Sequence, residues 1–245
     1  MKNVLLGANT AHGFVSYYDQ ILMPKAKYLG IIKGGPGTGK STFMRKIGEK
    51  IKNEGFALEV LRCSSDQESL DGIVVLDQGI ALVDGTRPHI MEPRYPGCQD
   101  EIINFGEFWD RRGICAHIKD IVSLSGEISE RYGRVYRLLA AANQLSLDWS
   151  ASHAQGLNTK GINEVVQRLA ALFSSLPVEE DGKERHLFAS SLSPKGTLHY
   201  LESILSPLER VFVLKDTYSC CAHKILERVL LEAKSRGLFV EVYHC

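Results

Sequence analysis

A glycine-rich segment at residues 34–41 has the spelling G-x-x-x-x-G-K-S. It follows an apolar run at residues 28–32 and precedes an amphipathic stretch at residues 43–51, so the sequence predicts a strand, a loop and a helix. In such a loop the glycines let backbone N–H groups converge on phosphate oxygens, and the positive end of the helix dipole faces the same anion. The segment therefore predicts a phosphate-binding loop for a nucleotide.

Two side chains of this loop have defined roles in nucleotide chemistry. Lys40 is expected to reach the β- and γ-phosphates, and the Ser41 hydroxyl is expected to ligate Mg²⁺. The guanine-selecting sequence N-K-x-D does not occur in the chain, so we expect ATP rather than GTP, together with Mg²⁺. The residues expected to bind the nucleotide are Gly35, Pro36, Gly37, Thr38, Gly39, Lys40, Ser41 and Thr42.

A carboxylate at the end of a neighbouring strand is expected to complete the metal site with Ser41. Asp84 follows an apolar run at residues 80–83, and open α/β sheets bind ligands at the carboxyl ends of their strands. Asp77, after a similar run, is the alternative, although an aspartate that ends a strand often only forms a turn or a cap. We favour Asp84 because of the length of its strand and its distance from the phosphate loop.

The reaction depends on the group that activates the attacking oxygen. Asp84 is followed by Gly85 and not by the glutamate that many P-loop ATPases use as a base, so rapid hydrolysis through that base is not expected. Asp66, Asp71 or His89 is a candidate to orient water, although a lone histidine more often caps or packs than catalyses. The catalytic residues predicted from the sequence are Lys40, Asp84 and Asp66.

Strand-like and helix-like patterns alternate over the first third of the chain, which predicts a mostly parallel sheet with helices on its faces. We expect an α/β fold of the P-loop NTPase three-layer sandwich type in residues 1–184, with a helical insertion at about residues 107–175. Within the insertion, apolar positions from Ile114 to Ala142 step by threes and fours, as in the seam of a long helix or a helical hairpin. We expect this stripe to pack on the domain; the alternative is a lid or a partner surface.

The chain contains an internal repeat. A shift of 182 positions aligns residues 31–33 with residues 213–215 and continues without a gap to the last residue. A shift of 183 positions aligns further identities between residues 13–24 and residues 196–207. Ordered identities over two segments favour a duplicated module. We therefore predict a degenerate, partial P-loop-like module at residues 185–245.

The second copy lacks the residues that bind phosphate. Asp216 stands at the position of Gly34, and Ala222 stands at the position of Lys40. A carboxylate repels phosphate, and no lysine is present to offset that repulsion. We therefore expect a nucleotide in the first module only.

A set of short motifs is spread along the chain. It comprises residues 33–42, 63–66, 69–72, 84–86, 88–89, 95–97, 100–104 and 185–188. In these motifs, and over nearly its whole length, the chain resembles a little-characterised bacterial family of tandem P-loop ATP-binding proteins, described as putative ATPases. The resemblance implies ATP binding and two P-loop modules in one polypeptide, without a known substrate. The chain departs from the family pattern in its second module, where the phosphate loop is erased.

Composition narrows the range of partners. Lys plus Arg and Asp plus Glu number 29 each, so no net charge attracts nucleic acid or an anionic membrane. No apolar stretch approaches the roughly 20 residues that span a bilayer, and no signal-peptide layout is present, so we expect a cytoplasmic protein. The cysteines are expected to be reduced thiols because they lack C-x-x-C spacing. They are Cys63, Cys98, Cys115, Cys220, Cys221 and Cys245.

Three functional hypotheses remain open. The first is a slow or partner-stimulated ATPase in which the nucleotide orders loops as a switch. The second is a small-molecule kinase in which Asp66 holds the acceptor and Arg87, Arg94 and Arg185 bind an anionic group. The third is a non-enzymatic, ATP-bound protein that docks a protein partner.

Overall fold

In a computed structural model the chain is described at residues 1–21, 27–173, 176, 178 and 182–245. The described residues form a mixed α/β fold. The strands are β1 (Lys2–Val4), β2 (Gly7–Thr10), β3 (Gly13–Ser16), β4 (Tyr28–Lys33), β5 (Glu59–Arg62), β6 (Leu70–Val75), β7 (Ile80–Asp84), β8 (Asp100–Asn104), β9 (Glu184–Phe188), β10 (Ser190–Ser193), β11 (Gly196–His199) and β12 (Val240–His244). The α-helices are α1 (Lys40–Asn53), α2 (Arg111–Ala116), α3 (Ile118–Ala154), α4 (Thr159–Ala171), α5 (Leu201–Leu205) and α6 (Ala222–Ser235).

The main sheet has six strands in the order β1-β5-β6-β7-β4-β8. β4 is parallel to both of its neighbours, β7 and β8, and β1 is parallel to β5. β6 is antiparallel to β5 and β7 because the segments that join these strands, residues 63–69 and 76–79, are too short for the crossover that parallel neighbours need. The prediction of an α/β fold with a mostly parallel sheet is confirmed, with β6 as the exception.

Successive residues of the central strands point to opposite faces of this sheet. Ile32 faces α1 and packs with Met44 of that helix, whereas Ile31 faces a second cluster on the other side. This second cluster contains Val4, Leu6, Tyr18, Ile21, Ile31, Leu61, Val74, Ala81, Val83, Leu187, Ala189 and Ile204. It includes residues from both sides of position 184, so the predicted domain boundary does not separate two hydrophobic cores.

The helical insertion consists of α2, α3 and α4. Its expected end near residue 175 lies outside the described residues. α3 has 37 residues and is about 55 Å long at 1.5 Å per residue. None of the residues of α3 is buried, so the expectation that its apolar stripe packs on the domain is wrong. The periodicity showed which residues share a face of the helix but not whether another element covers that face. Among the described residues, no helix combines the length and the apolar content that a membrane span needs.

The elements of the repeat recur in the same order. Shifting α1 by 182 positions gives the bounds of α6, and shifting β2 and β3 by 183 positions gives the bounds of β10 and β11. The pairing registers also correspond, because Lys2 pairs with Glu59 between β1 and β5 and Arg185 pairs with Glu241 between β9 and β12. The segment at residues 210–215, which corresponds to β4, is not a strand.

The two copies meet at equivalent positions. Leu5 and Phe188, which are 183 positions apart, exchange two backbone hydrogen bonds of 3.1 and 2.8 Å. The side-chain amide of Asn9 donates to the carbonyl oxygen of Leu192, again 183 positions away. Contacts between equivalent residues are those of a local pseudo-two-fold axis, as in an isologous interface.

A quartet of charged side chains crosses this axis. Arg185 is fully buried and donates to both carboxylate oxygens of Glu59 and to Glu241. The ammonium nitrogen of Lys2 lies 3.0 Å from Glu59 and 2.8 Å from Glu241. Arg185 also donates to the carbonyl oxygens of Gln20 and Ile21. Two cations and two anions therefore alternate around one centre, and the buried guanidinium is compensated.

We predict that Arg185→Met lowers the free energy of unfolding by about 3–5 kcal/mol, because Glu59 then keeps a buried charge without its main partner. Urea denaturation measures this change. The control is Arg131→Met, which removes an arginine that is 81% exposed and pairs with Glu127 across one helical turn at 3.6 Å. That change is expected to stay within about 0.5 kcal/mol. Equal midpoints for the two variants would contradict the structural role of Arg185.

Candidate functional site

The glycine-rich segment forms the turn between β4 and α1. Gly37 and Gly39 have φ angles of 78° and 88°, a left-handed conformation that glycine adopts without steric cost. Gly39 is the N-cap of α1, and no side chain caps the helix at this end. The first amide groups of α1 therefore face the loop, in the arrangement that binds anions at helix N-termini.

Lys40 is the first residue of α1, and its side chain turns back over the loop. Its ammonium nitrogen donates to the carbonyl oxygens of Gly34 at 2.7 Å and Gly35 at 2.9 Å. It also lies 3.4 Å from one carboxylate oxygen of Asp84, and only 9% of Lys40 is exposed. The other carboxylate oxygen of Asp84 accepts hydrogen bonds from the backbone N–H and the hydroxyl of Thr86.

The sheet explains why Asp84 reaches the loop. β7 lies directly beside β4, and Asp84 pairs with Ile32, close to the point where the phosphate loop begins. Asp77 lies instead in the 3₁₀ turn Leu76–Gln78 and lines a separate cavity with Met1 and Lys2. Of the two aspartates considered from the sequence, the structure brings only Asp84 to the loop.

The Ser41 hydroxyl lies between α1 and β6. Its oxygen accepts a hydrogen bond of 2.9 Å from the backbone N–H of Leu70. A hydroxyl has two acceptor lone pairs, so one lone pair remains for another partner. Ser41 and Asp84 line the same cavity and offer the hard oxygen ligands that Mg²⁺ prefers. The donors of this site therefore fit magnesium.

A cavity of 1110 Å³ opens over the loop. Its volume is slightly above the usual range of ligand pockets, roughly 300–1,000 Å³. Two residues of α3, Ser125 and Tyr132, belong to its wall, and the Tyr132 hydroxyl lies 3.0 Å from the Ser65 hydroxyl. Other lining residues are Lys33, Ser64, Asp66, Asp71, Thr86, Arg87, Pro88, His89, Asn104 and Trp109.

Asp66, the third residue predicted to be catalytic, lines this cavity but is exposed. Its carboxylate accepts hydrogen bonds from the Ser69 hydroxyl and the Glu68 N–H. These bonds, chiefly the one from Ser69, lower the pKa of Asp66. Asp66 thus closes a turn within its own loop, and its hydrogen-bonding capacity is partly used there.

The three arginines expected to bind an anionic group are in different places. Arg87 lines the cavity. Arg94 does not line it, and the backbone N–H of Arg94 donates to Asp100. Arg185 is fully buried in the charged quartet, so the structure corrects its expected role from binding to structural support.

A buried polar cluster adjoins the phosphate loop. Asp71 of β6 and His89 are each only 6% exposed, and a nitrogen of His89 lies 3.9 Å from a carboxylate oxygen of Asp71. The His89 ring stacks on Tyr18 with centroids 4.5 Å apart. Burial raises the pKa of Asp71 and raises the pKa of the neighbouring Cys63 thiol to about 12. Asp71 is therefore harder to ionise than an exposed aspartate, and the Cys63 thiol is held protonated.

Sequence reasoning named Asp71 and His89 as candidates to orient water, but it did not place them together. The antiparallel course of β6 sets Asp71 beside Asp84 at one edge of the sheet, since Gly72 pairs with Val83. No sequence signal joined Tyr18 to this cluster, because its ring arrives from a segment before β4. His89 packs on Tyr18 through its ring, but this contact leaves both ring nitrogens without a hydrogen-bond partner among the described residues.

The counterpart of the phosphate loop holds a carboxylate of its own. Asp216 accepts hydrogen bonds of 2.8 Å from the backbone N–H groups of Cys221 and Ala222 at the start of α6. These bonds, with that from Ala222 as the largest cause, lower the pKa of Asp216 to about 2. Ser219, the counterpart of Gly37, also has a positive φ of 52°. The two loops differ at the next such position, because the N-cap Gly39 has a φ of 88° and its counterpart Cys221 has a φ of −133°. In the second loop a carboxylate of the chain itself accepts the first amide groups of the helix as hydrogen-bond donors.

α3 contacts both copies of the repeat. Near its middle, Tyr132 contacts Ser65 in the cavity wall. Near its C-terminal end, the Ser150 hydroxyl donates to the carbonyl oxygen of Ser219, and His153 stacks on Tyr218 at 4.5 Å. One helix therefore contacts the segment after β5 in the first copy and the counterpart of the phosphate loop in the second copy.

No family model, curated protein or solved structure matches the chain. The assignment of a function therefore depends on the residues and on their geometry.

Asp216→Ala is expected to increase hydrogen exchange at the amides of Cys221 and Ala222, because these N–H groups lose their acceptor. Hydrogen exchange followed by NMR measures it. Asp110→Ala is the matched control, since Asp110 caps α2 by accepting from the N–H groups of Arg112 and Gly113. It should affect only the start of α2. Unchanged protection of Cys221 and Ala222 in the Asp216 variant would show that the carboxylate does not occupy the loop.

Proposed function

We propose that the chain is a Mg²⁺-dependent ATP-binding protein with a P-loop NTPase fold, and that it hydrolyses ATP slowly or on stimulation by a partner. One observation carries the proposal. A loop of the G-x-x-x-x-G-K-S type, its lysine and a strand-end carboxylate converge at one edge of the sheet, with Lys40 3.4 Å from Asp84. This combination is typical of sites that bind nucleotide phosphates and magnesium.

Each part of the site has a role in this proposal. The amide groups of residues 37–40 surround the phosphates, and Lys40 neutralises charge on the β- and γ-phosphates. Ser41 and Asp84 would hold Mg²⁺, and the ion would offset the negative charge of the phosphates. Asp84 compensates the Lys40 ammonium, so the loop also has balanced charge when no phosphate is bound.

The packing around Gly85 supports slow hydrolysis. A Cβ atom at this position would meet the side chain of Ile31 and would lie 3.2 Å from the carbonyl oxygen of Met91. The residue after Asp84 is therefore confined to glycine by close packing, and a glutamate base has no room there. Water activation must come from another part of the cavity wall.

The position of α3 supports a nucleotide-dependent switch. The segment after β5 reaches the phosphate side of the cavity through Ser64 and Ser65, and Tyr132 of α3 contacts Ser65. A nucleotide that orders this segment would change the surface on which α3 rests. An unknown protein partner could read that change on the exposed side chains of α3.

A small-molecule kinase is less well supported. Asp66, which would hold the acceptor, is hydrogen-bonded to Ser69 and Glu68. Of the three arginines in that hypothesis, only Arg87 lines the cavity. The ATPase hypothesis requires neither an acceptor held by Asp66 nor an anionic group bound by the three arginines.

Thermal unfolding in the presence of Mg²⁺ and ATP tests the binding proposal. At a ligand concentration 100 times the Kd, the native state should gain about 2.7 kcal/mol. Lys40→Ala should abolish the gain, whereas Lys46→Ala, at an exposed position of the same helix, should keep it. An equal gain in both variants, or no gain in the unmodified chain, would contradict the proposal.

Tryptophan fluorescence provides a local test. The chain has two tryptophans: Trp109 lines the cavity, and Trp149 lies on α3 beside His153. The Trp109 ring is so close to the loop that a Cβ atom on Gly35 would lie 2.8 Å from it. Mg²⁺-ATP should therefore change the emission of Trp149→Phe, in which only Trp109 remains. It should change the emission of Trp109→Phe less, because Trp149 lies outside the cavity wall. The opposite pattern would place the nucleotide elsewhere.

A further inference from the structure

This inference rests on the proposed function and concerns the missing base. The pair formed by Asp71 and His89 lies in the cavity wall, within one residue of the metal-binding end of the loop. Asp71 follows Leu70, whose backbone N–H donates to the Ser41 hydroxyl at 2.9 Å. Asp71 also adjoins Asp84 across the pairing of β6 with β7. Asp71 therefore lies one residue from the contact with Ser41, and His89 lies beside Asp71 in the wall of the same cavity.

His89 is a buried polar side chain whose hydrogen-bonding capacity is not satisfied in the described part of the chain. His89 is only 6% exposed, and neither ring nitrogen has a hydrogen-bond partner among the described residues. A buried polar group without a partner costs about 1–3 kcal/mol. Such a cost in the wall of a ligand cavity is typical of a functional group and not of a packing residue.

Other groups near the loop are less suited to activate water. Asp66 is held by Ser69, and Asp84 faces Lys40 and Thr86. Gly85 has no side chain, and its packing leaves no room for one. His89 alone in this comparison combines burial, a place in the cavity wall and free nitrogens with an adjacent carboxylate.

We propose that His89 is the general base for ATP hydrolysis and that Asp71 orients its ring. One nitrogen of His89 accepts a proton from the attacking water as the water O–H bond breaks. The water oxygen forms a bond to the γ-phosphorus, and the bond from the γ-phosphorus to the bridging oxygen breaks. The electron pair of that bond leaves with ADP, and the proton then passes from His89 to solvent. Asp71 stabilises the imidazolium formed during the step.

Burial and the neighbouring Asp84 raise the pKa of Asp71, whereas the neighbouring His89, Cys63 and Tyr18 lower it and so favour the carboxylate that this role needs. Asp71 faces His89, Cys63 and Tyr18 within the cluster and Asp84 across the sheet. The 3.9 Å separation of His89 and Asp71 is longer than a hydrogen bond, and catalytic hydrogen bonds often shorten only when substrate is bound. A base that is oriented by a third group is the general arrangement for activating a nucleophile.

The test uses aluminium fluoride with ADP and Mg²⁺, which mimics the transferring phosphoryl group together with its attacking water. In the unmodified chain this mixture should raise the melting temperature further than ADP and Mg²⁺ do alone. His89→Phe keeps a ring to stack on Tyr18 and removes the unpartnered nitrogens, so it should fold at least as stably. It should respond to ADP as the unmodified chain does but lose the additional rise.

Phosphate release from Mg²⁺-ATP is measured in parallel. Loss of a general base lowers a rate by about 10²- to 10⁴-fold, so we expect a fall in that range in His89→Phe. Asp71→Asn, which keeps the shape of the side chain, should also reduce the additional rise with aluminium fluoride. His153→Phe, on α3 outside the cavity wall, is the matched control and should behave as the unmodified chain.

The outcomes separate the two proposals. If ADP and ATP stabilise the unmodified chain but His89→Phe keeps the additional rise, His89 is not the base and ATP binding stands. If aluminium fluoride gives no additional rise in the melting temperature of the unmodified chain, the proposal that His89 is the base is also overturned. If neither nucleotide stabilises the unmodified chain, the proposed function itself fails, and the base fails with it.

Discussion

The buried guanidinium of Arg185 is the constraint on which the arrangement of the site depends. It joins β9 to β5 through Glu59 and to β12 through Glu241, and it holds the carbonyl oxygens of Gln20 and Ile21. A buried cation is stable only when its partners are in place, so these elements are fixed relative to one another.

Two of the elements that Arg185 contacts, β5 and the turn at Tyr18–Gln20, adjoin the cavity. β5 continues into Cys63, Ser64 and Ser65, which line it, and the turn at Tyr18–Gln20 carries the ring that stacks on His89. The core of the pseudo-two-fold interface thus positions one wall of the cavity over the glycine-rich loop and the ring on which His89 stacks. Equivalent residues supply the quartet, since Lys2 corresponds to Arg185 and Glu59 to Glu241.

The two copies have equivalent elements in the same order but differ in the side chains at the start of the helix. In the first copy, Gly34 leaves the loop open and Lys40 supplies a cation. In the second copy, the carboxylate of Asp216 accepts hydrogen bonds from the backbone N–H groups of Cys221 and Ala222 at the start of the helix. Helix N-termini bind either kind of anion. The residue at the position of Gly34 therefore decides whether a carboxylate of the chain itself accepts hydrogen bonds from the first amide groups of the helix.

Local patterns predicted the parts of this structure that depend on nearby residues. The phosphate loop is encoded by eight consecutive positions, and the repeat is visible as ordered identities. The antiparallel course of β6 follows from two short connections, but recognising it requires knowing which strands are neighbours. The Asp84 strand was predicted from its apolar run, and the sheet order places it beside β4.

Interactions between distant parts of the chain could not be predicted in this way. Arg185 and Glu59 are 126 positions apart, and no pattern in a single sequence marks them as partners. The cluster of Asp71, His89 and Tyr18 likewise combines three separate segments. The exposure of α3 was missed because helical periodicity identifies a shared face and not the element that would cover it.

A crystal structure of the chain with Mg²⁺ and a non-hydrolysable ATP analogue tests the central claim most directly. We expect the β-phosphate to accept hydrogen bonds from the amide groups of residues 37–40. We also expect Lys40 to contact the γ-phosphate and Mg²⁺ to lie between Ser41 and Asp84. An analogue bound at another surface, or a phosphate loop that remains empty at saturating analogue, would contradict the account.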